Sequence, residues 1–252
     1  MARLIILGSS NAIPSINHEN THMVLTDPSG LILIDCPGNL LIRLQQARLD
    51  PLDVNHLVLT HFHPDHISGA PSFIMQSWLL GRKKPIHIYG LAFTLDKLNQ
   101  MMELYEWQTW PDLYPVHFHK VPEFELSPLL ETQDVQIFAS PVKHIVPTLG
   151  LRFEFKENQT ILAYSCDTEP CPSLLGLSSH ADILIHEASG CITGHSSAAQ
   201  AGKLASKTGV NQLVLIHYPT HNEDLLRSLI YEAKTTYTGN IILAKDFMEF
   251  NL

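Results

Sequence analysis

The chain has 252 residues, of which 45% are hydrophobic and 16% charged, which is typical of a globular protein. No apolar run approaches the roughly 18 residues that span a bilayer, so the composition excludes a membrane protein. The net charge of −9 argues against a DNA-binding or other nucleic-acid-binding surface, because phosphate recognition needs clustered lysine and arginine.

The first residues carry one basic side chain and a short apolar run that continues into a turn at Gly8. This pattern predicts a first strand, because it lacks the long apolar region and small-residue cleavage site of a signal peptide. A cytoplasmic location follows as a prediction. No linker, repeat or charge run marks a boundary, so we predict one domain over residues 1–252.

Short apolar runs bounded by turn residues predict strands. They lie at 4–7, 23–25, 31–35, 57–60, 86–89, 135–138, 151–155, 161–164, 183–186, 213–217 and 241–244. Apolar residues at three- and four-residue spacing predict helices. These lie at 38–48, 71–81, 92–106, 196–208 and 222–234. The order of the elements predicts an α/β (α+β) fold in which helices cover the outside of sheets.

The segment 100–120 is rich in aromatic residues and poor in charges. Such a segment can form a lid or a wall over a substrate site. Aromatic clusters more often belong to a core or to a dimer contact. The sequence leaves these alternatives open.

The sharpest feature is the motif His-x-His-x-Asp-His from His61 to His66, placed directly after a predicted strand. Side chains alternate across a strand, so His61 and His63 point to one side if the extended conformation persists. Pro64 breaks the strand, and a turn there brings Asp65 and His66 toward a neighbouring position. Imidazole and carboxylate together are the ligands that a divalent ion such as zinc prefers.

More ligands are needed, and three candidates stand at or just beyond the ends of later predicted strands. They are His144, Asp167 and His217. Strand ends that converge on one edge of a pair of sheets form a rigid cup, in which widely spaced residues can share a metal. We therefore predict that the three meet the segment 61–66.

The motif Thr-His-Phe-His-Pro-Asp-His resembles that of the metallo-β-lactamase superfamily. The resemblance implies a four-layer αββα sandwich and two metal ions, and it assigns seven ligands. One ion is held by His61, His63 and His144, the other by Asp65, His66 and His217, and Asp167 bridges them. The flavodiiron oxidoreductases carry glutamate where His63 stands, so hydrolysis is the better interpretation. Zinc is the expected metal, with manganese or iron as alternatives.

Segments across most of the chain resemble the ribonuclease Z-like phosphodiesterase branch of that superfamily. The most specific are His-Glu-Ala-Ser from His186 and Gly-His-Ser-Ser from Gly194. Members of the branch are often homodimers, so the resemblance implies a homodimer. In bacterial ribonuclease Z an arm that grips tRNA lies between the motifs matching His144 and Asp167. Here this interval holds only two strand-like runs and a turn at 156–158.

The missing arm and the acidic charge disfavour a large RNA and favour a small phosphodiester, such as a cyclic nucleotide, or another ester, with an RNA end as the less favoured substrate. Hydrolysis of a carboxylic ester, lactone or thioester is the alternative function, and a non-catalytic metal-binding regulator is a third. The third class is expected to lose ligands or His195, both of which this chain retains.

Three residues are candidates for catalysis. Asp65 is expected to orient the attacking water, and His195 is expected to donate a proton to the leaving group or to neutralise its charge. Glu187 is expected to orient His195, although a surface or supporting structural role is an alternative. Asp35 is expected to hydrogen-bond a ligand histidine. The remaining histidines, His87, His117, His119, His180, His186 and His221, are interpreted as ordinary polar or supporting side chains.

Overall fold

A computed structural model of the chain describes residues 2–221 and 223–252. Its strands are β1 (Arg3–Gly8), β2 (His22–Asp27), β3 (Gly30–Ile34), β4 (Val54–Val58), β5 (Ile86–Gly90), β6 (Val116–Lys120), β7 (Ser127–Glu131), β8 (Val135–Val142), β9 (Thr148–Phe155), β10 (Ile161–Tyr164), β11 (Ile183–Glu187), β12 (Gln212–Ile216), β13 (Asn240–Leu243) and β14 (Glu249–Asn251). Its α-helices are α1 (Leu40–Gln46), α2 (Pro64–Ile67), α3 (Ala70–Leu79), α4 (Ala92–Leu104), α5 (Ser173–Ser178), α6 (Ala198–Thr208) and α7 (Glu223–Lys234).

The described strands form two sheets of seven strands each. The first sheet has the order β14-β1-β2-β3-β4-β5-β6, and the second has the order β13-β12-β11-β10-β9-β8-β7. In both sheets one part is antiparallel and the other is parallel, with the changes at β3 and β10. The parallel strands are those joined by helices, as parallel pairing requires a crossover connection.

The two-residue period of the strands distributes side chains between three apolar clusters. In β1, Leu4 and Ile6 lie in the cluster between the two sheets, whereas Ile5 and Leu7 lie in the cluster under α1, α3 and α4. The third cluster joins the outer face of the second sheet to α5, α6 and α7. Strands buried on both faces are apolar throughout, which explains their clear signal in the sequence. The layers run helix, sheet, sheet, helix, as predicted.

Each of the eleven predicted strands is present, with ends shifted by a few residues. The sequence analysis missed β6, β7 and β14, which are edge strands of the two sheets. These three strands are partly exposed and carry polar residues, so they show no continuous apolar run, whereas the remaining edge strand β13 does. The five predicted helices are also present, while the short helices α2 and α5 were missed.

The aromatic segment 100–120 packs against the outer face of the first sheet. Trp107, Trp110 and Phe118 contact the apolar cluster there, and Tyr114 is buried within it. The Trp110 ring stacks on Trp78 of α3 with 5.3 Å between the ring centroids. This placement agrees with a core role rather than a lid.

Helix α7 begins at Glu223, so the first residue of the predicted helix 222–234, Asn222, lies outside the described residues. Met1 lies outside them as well. Every helix within 2–221 and 223–252 is too short or too polar to cross a bilayer. A single domain over 1–252 stays a prediction.

Candidate metal centre

The segment from His61 to His66 begins three residues beyond the end of β4, not directly after the strand as expected. The chain nevertheless stays extended, since Leu59 N–H donates to Tyr89 O at 2.8 Å and His63 has φ −111° and ψ 151°. His61 Nε2 therefore lies 3.1 Å from His63 Nδ1. The extended conformation places both imidazoles on one side, as predicted.

Helix α2 turns the rest of the motif toward the same place. Pro64 is its first residue, where proline is favoured because the missing N–H needs no partner. The turn brings Asp65 Oδ2 to 3.5 Å from His66 Nε2. A short helix thus supplies the turn expected after Pro64.

The three distant candidates all join this group. Asp167 Oδ2 lies 3.1 Å from His217 Nε2 and 3.5 Å from His66 Nε2. The same oxygen lies 3.9 Å from His61 Nε2 and 4.0 Å from His144 Nε2. One carboxylate oxygen is therefore close to imidazoles of both predicted ligand sets, which fits the place that the resemblance implied for Asp167.

The seven ligand atoms fall into two neighbouring sets, and within each set the atoms lie within 4.8 Å of one another. The first set is His61, His63 and His144, and the second is Asp65, His66, Asp167 and His217. These are the sets that the resemblance implied. The structure thus brings together all seven predicted ligands.

Two residues at the candidate metal centre have a left-handed backbone conformation. His217, directly after β12, has φ 51°, and Asp35, directly after β3, has φ 64°. Non-glycine residues adopt this conformation at a cost, and such strain is concentrated at functional sites. Hydrogen bonds hold His217 in place, because its N–H donates to Ser9 O at 3.0 Å and its carbonyl accepts from Ser189 Oγ at 2.6 Å.

Buried partners fix the orientation of the ligand imidazoles. Asp35 accepts hydrogen bonds from Thr60 N–H and lies 2.8 Å from His66 Nδ1, as predicted for Asp35. His144 Nδ1 lies 2.6 Å from Gly194 O, which can only accept a hydrogen bond. A proton held on Nδ1 leaves the lone pair of Nε2 facing the centre.

Cys166 contacts the site although the sequence analysis did not select it. Its Sγ lies 3.6 Å from His61 Nδ1. Burial raises the pKa of Cys166 well above its usual range, and the charges of Asp167 and Asp35 raise it further. The thiol adjoins the predicted ligands, since Sγ lies within 4.8 Å of ring nitrogens of both His61 and His66. Its position two residues after β10 and next to the predicted ligand Asp167 was a signal that the sequence offered.

The chemistry of the donor set fits divalent ions. His66 Nε2 and Asp167 Oδ1 are buried atoms that have no hydrogen-bond partner among the described residues. Such atoms cost about 1–3 kcal/mol each unless a partner is present. Burial raises the pKa of Asp167, but the imidazoles of His217 and His66 outweigh burial and hold the pKa well below its usual range. An ionised carboxylate among imidazoles is a ligand set for zinc and similar metals.

His195 stands beside the two ligand sets. Its ring centroid lies 4.9 Å from that of His144 and 5.9 Å from that of His217. On its other side, Nδ1 lies 3.1 Å from Glu187 Oε1. Ser197 caps α6, so His195 is not the helix cap.

Glu187 is completely buried at the end of β11. Its carboxylate accepts hydrogen bonds from the N–H groups of Thr168, Ser189 and Ser196 at 2.8–3.1 Å. A surface role, the alternative given for this residue, does not fit this burial. Burial lowers the pKa of His195, but the hydrogen bond and charge of Glu187 outweigh burial and raise the pKa above its usual range.

Comparisons with known proteins agree with this geometry. The family model described as anti-Pycsar protein Apyc1 matches residues 2–236. The chain belongs to this family. A ribonuclease Z from Methanosarcina mazei is 25% identical, and the match covers 100% of this chain and 98% of the relative.

Two solved structures resemble this Apyc1-family chain. The metallo-β-lactamase fold protein YhfI from Bacillus subtilis has a TM-score of 0.81 and 20% identity, covering 99% of this chain and 98% of its own. A diphosphatase from the PhnP family has a TM-score of 0.75 and 18% identity, covering 100% of this chain and 98% of its own. These structures confirm the predicted fold. Together with the ribonuclease Z relatives, the comparisons confirm the predicted metallo-hydrolase of the ribonuclease Z-like phosphodiesterase branch.

Proposed function

We propose that this chain hydrolyses small phosphodiesters, with cyclic nucleotides as the favoured class, at a centre of two divalent ions, and that the ions are zinc. This activity is proposed to underlie the anti-Pycsar role by which the family is described. The observation that carries the proposal is the pair His195–Glu187, which faces the two sets of metal ligands. An acid beside such a centre suits the release of an alkoxide from a phosphodiester.

Attack on phosphorus requires a water held on the far side from the leaving group. The two sets of residues would hold two ions, which would supply a water of near-neutral pKa and offset charge on the phosphoryl oxygens. Asp65 is the most exposed carboxylate of the site, with 12% of its side chain accessible. We assign it the role of accepting a hydrogen bond from the attacking water and so orienting it.

His195 is assigned to the leaving group of the phosphodiester. Glu187 fixes the proton on Nδ1 and favours the protonated ring, so Nε2 carries a proton that it can donate. Transfer of this proton to the leaving oxygen produces an alcohol rather than an alkoxide. Three backbone N–H groups donate hydrogen bonds to the Glu187 carboxylate and hold it in place beside His195.

Two observations support a small substrate over RNA, although relatives are named ribonuclease Z. Residues between His144 and Asp167 form the adjacent antiparallel strands β9 and β10 with a short turn. This hairpin belongs to the second sheet and leaves no segment there for a protruding arm. The net charge of −9 also opposes binding of a long polyanion.

The test uses purified, metal-loaded protein and three classes of substrate, which are phosphodiesters, lactones and thioesters. Each is assayed before and after chelation of the metal. We expect hydrolysis of a cyclic nucleotide and of bis(p-nitrophenyl) phosphate, and loss of both activities with EDTA. Faster hydrolysis of a lactone or thioester would overturn the phosphodiester assignment. Inactivity on all three classes at full metal content would instead support a metal-binding regulator.

A homodimer and a cytoplasmic location complete the proposal, and both come from the sequence. Light scattering of the metal-loaded protein tests the first, and fractionation of the producing cells tests the second. A precursor-tRNA cleavage assay tests the exclusion of RNA. We expect no 3′-end cleavage under conditions in which the cyclic nucleotide is hydrolysed.

A further inference from the structure

A second group of histidines lies on three neighbouring parallel strands, away from the candidate metal centre. Residue His56 of β4 pairs with His87 of β5, and His87 pairs with His117 of β6. His119 lies two residues after His117 and pairs with Tyr89. We call the four histidines the histidine ladder.

The ladder lies on one face of the sheet, because its members alternate with residues that point the other way. Two residues after His56 stands Val58, and two residues after His119 stands Val121, both in the apolar cluster between the sheets. The ladder continues this inner face toward the edge strand β6. On β6, His117 and His119 are exposed, whereas His56 on β4 and His87 on β5 are half-buried.

The imidazoles are close enough to share an ion. His87 Nδ1 lies 2.9 Å from His119 Nε2. Two imidazole nitrogens bound to one ion at about 2.0–2.1 Å lie roughly 2.9–3.4 Å apart. The corresponding separation in the candidate metal centre is 3.1 Å, between His63 Nδ1 and His144 Nε2.

The other rings surround this pair. The centroid of the His117 ring lies 5.2 Å from that of His87, and the centroid of His56 lies 5.5 Å from it. The buried ring of Tyr89 stacks on His119 at 4.6 Å and restricts its orientation. His117 is exposed on β6, and its ring lies beside His87 of the pair.

The charge state of the ladder favours a cation over an anion. Burial lowers the pKa of His56 to about 4, and the charge of His87 lowers it further, against the effect of Asp27. Burial and neighbouring histidines also lower the pKa values of His87 and His119. Neutral imidazoles have free lone pairs for a metal and no positive charge for a phosphate.

We propose that the histidine ladder is a second, separate binding site for one borderline divalent ion of the zinc, copper or nickel type. His87 and His119 are its principal ligands, and His117 is the third. An all-imidazole site selects these metals, whereas magnesium and calcium require oxygen ligands. The site is independent of the phosphodiesterase proposal, since it shares no ligand with the candidate metal centre.

The experiment uses protein whose catalytic centre is already loaded with zinc. Further Zn²⁺ and, separately, Ni²⁺ are titrated by calorimetry, and retained metal is counted by mass spectrometry after desalting. We expect one additional equivalent in the unmodified chain. Mg²⁺ is expected to give none.

Two variants test the ligands, His87→Gln and His119→Gln. Removal of a residue that only hydrogen-bonds a metal ligand lowers metal affinity about 10–100-fold. Removal of a ligand itself is therefore expected to lower metal affinity at least about 100-fold. Metal content of the catalytic centre and phosphodiester hydrolysis should stay unchanged. His119 is exposed at an edge strand, so His119→Gln carries the test if His87→Gln fails to fold.

A matched control is His180→Asn, which removes an exposed histidine outside the ladder. Asparagine tolerates the left-handed backbone of that position, where φ is 55°. The control should bind the additional ion as the unmodified chain does. The proposal is overturned if the unmodified chain binds no additional equivalent, or if His119→Gln binds it with unchanged affinity.

Discussion

His195 is held in one orientation by Glu187, and its value to the reaction depends on the leaving group. We predict that His195→Ala retains both ions and loses about 100- to 10,000-fold in kcat on a cyclic nucleotide. The loss should be smaller on bis(p-nitrophenyl) phosphate, because its leaving group is a weak base that needs little protonation. Metal analysis and the two kcat values check this.

An equal loss on both substrates would contradict the proton-donor role of His195 and favour its action as a positive charge. Loss of an ion from His195→Ala would show that the residue is a metal ligand. The two readouts together distinguish the roles.

The buried imidazole of His22 is expected to make the free energy of unfolding depend on pH. Burial lowers its pKa to about 3, and the charges of Arg43 and His66 act in the same direction, against the hydrogen bond with Asn20. In the unfolded chain the imidazole titrates near 6.5. Stability from the neutral ring is therefore complete above pH 6.5 and is lost as the pH falls toward 3, by up to about 1.4 kcal/mol per pH unit.

We predict that His22→Gln reduces the slope of unfolding free energy against pH between pH 6 and pH 4. Urea unfolding of both proteins at several pH values measures the slopes, and other buried histidines contribute equally to each. Identical slopes would show that His22 is protonated in the folded state.

At the scale of elements, helix α6 contacts α7 through a glycine. A Cβ on Gly202 would lie 2.5 Å from Thr236 Oγ1 and 2.6 Å from Ala233 O. Gly202→Ala is therefore predicted to destabilise the protein by about 1–3 kcal/mol, despite the better helix propensity of alanine.

Gly176 in α5 is the matched control, since a Cβ there meets only Glu125 Oε2 at 3.8 Å. Gly176→Ala should stabilise the protein by about 0.4–1 kcal/mol. Chemical denaturation of both variants measures the two effects. Effects of the same sign would contradict the close approach of α6 to α7.

At the scale of the whole molecule, the candidate metal centre joins the two sheets. Residues 61–66 follow the first sheet, whereas His144, Asp167 and His217 follow strands of the second. Ions bound here stabilise the folded chain by about 2.7 kcal/mol at a concentration of 100 Kd. We predict that EDTA lowers the melting temperature by at least about 5 °C.

Calorimetry with and without EDTA measures this shift. His217→Ala, which removes one ligand from the second sheet, should show a smaller response to EDTA. An equal response in both proteins would place the stabilising ions elsewhere.

The amino-acid sequence by itself determined the central strands and selected the seven residues that converge in the candidate metal centre. Strands such as β1 and β12 are buried on both faces, so their apolar runs are visible without knowledge of their neighbours. The metal motif is similarly local, because His61 to His66 are nearly adjacent in the chain. His144, Asp167 and His217 were found because ligands follow strand ends.

Only the tertiary structure decided which residues meet across strands. The edge strands β6, β7 and β14 lack a local signal, since half of each surface faces solvent. The contact of Cys166 with His61 and the histidine ladder on β4, β5 and β6 depend on strand order and register. A sequence shows which side chains are present, but pairing between strands that are distant in the chain sets their distances.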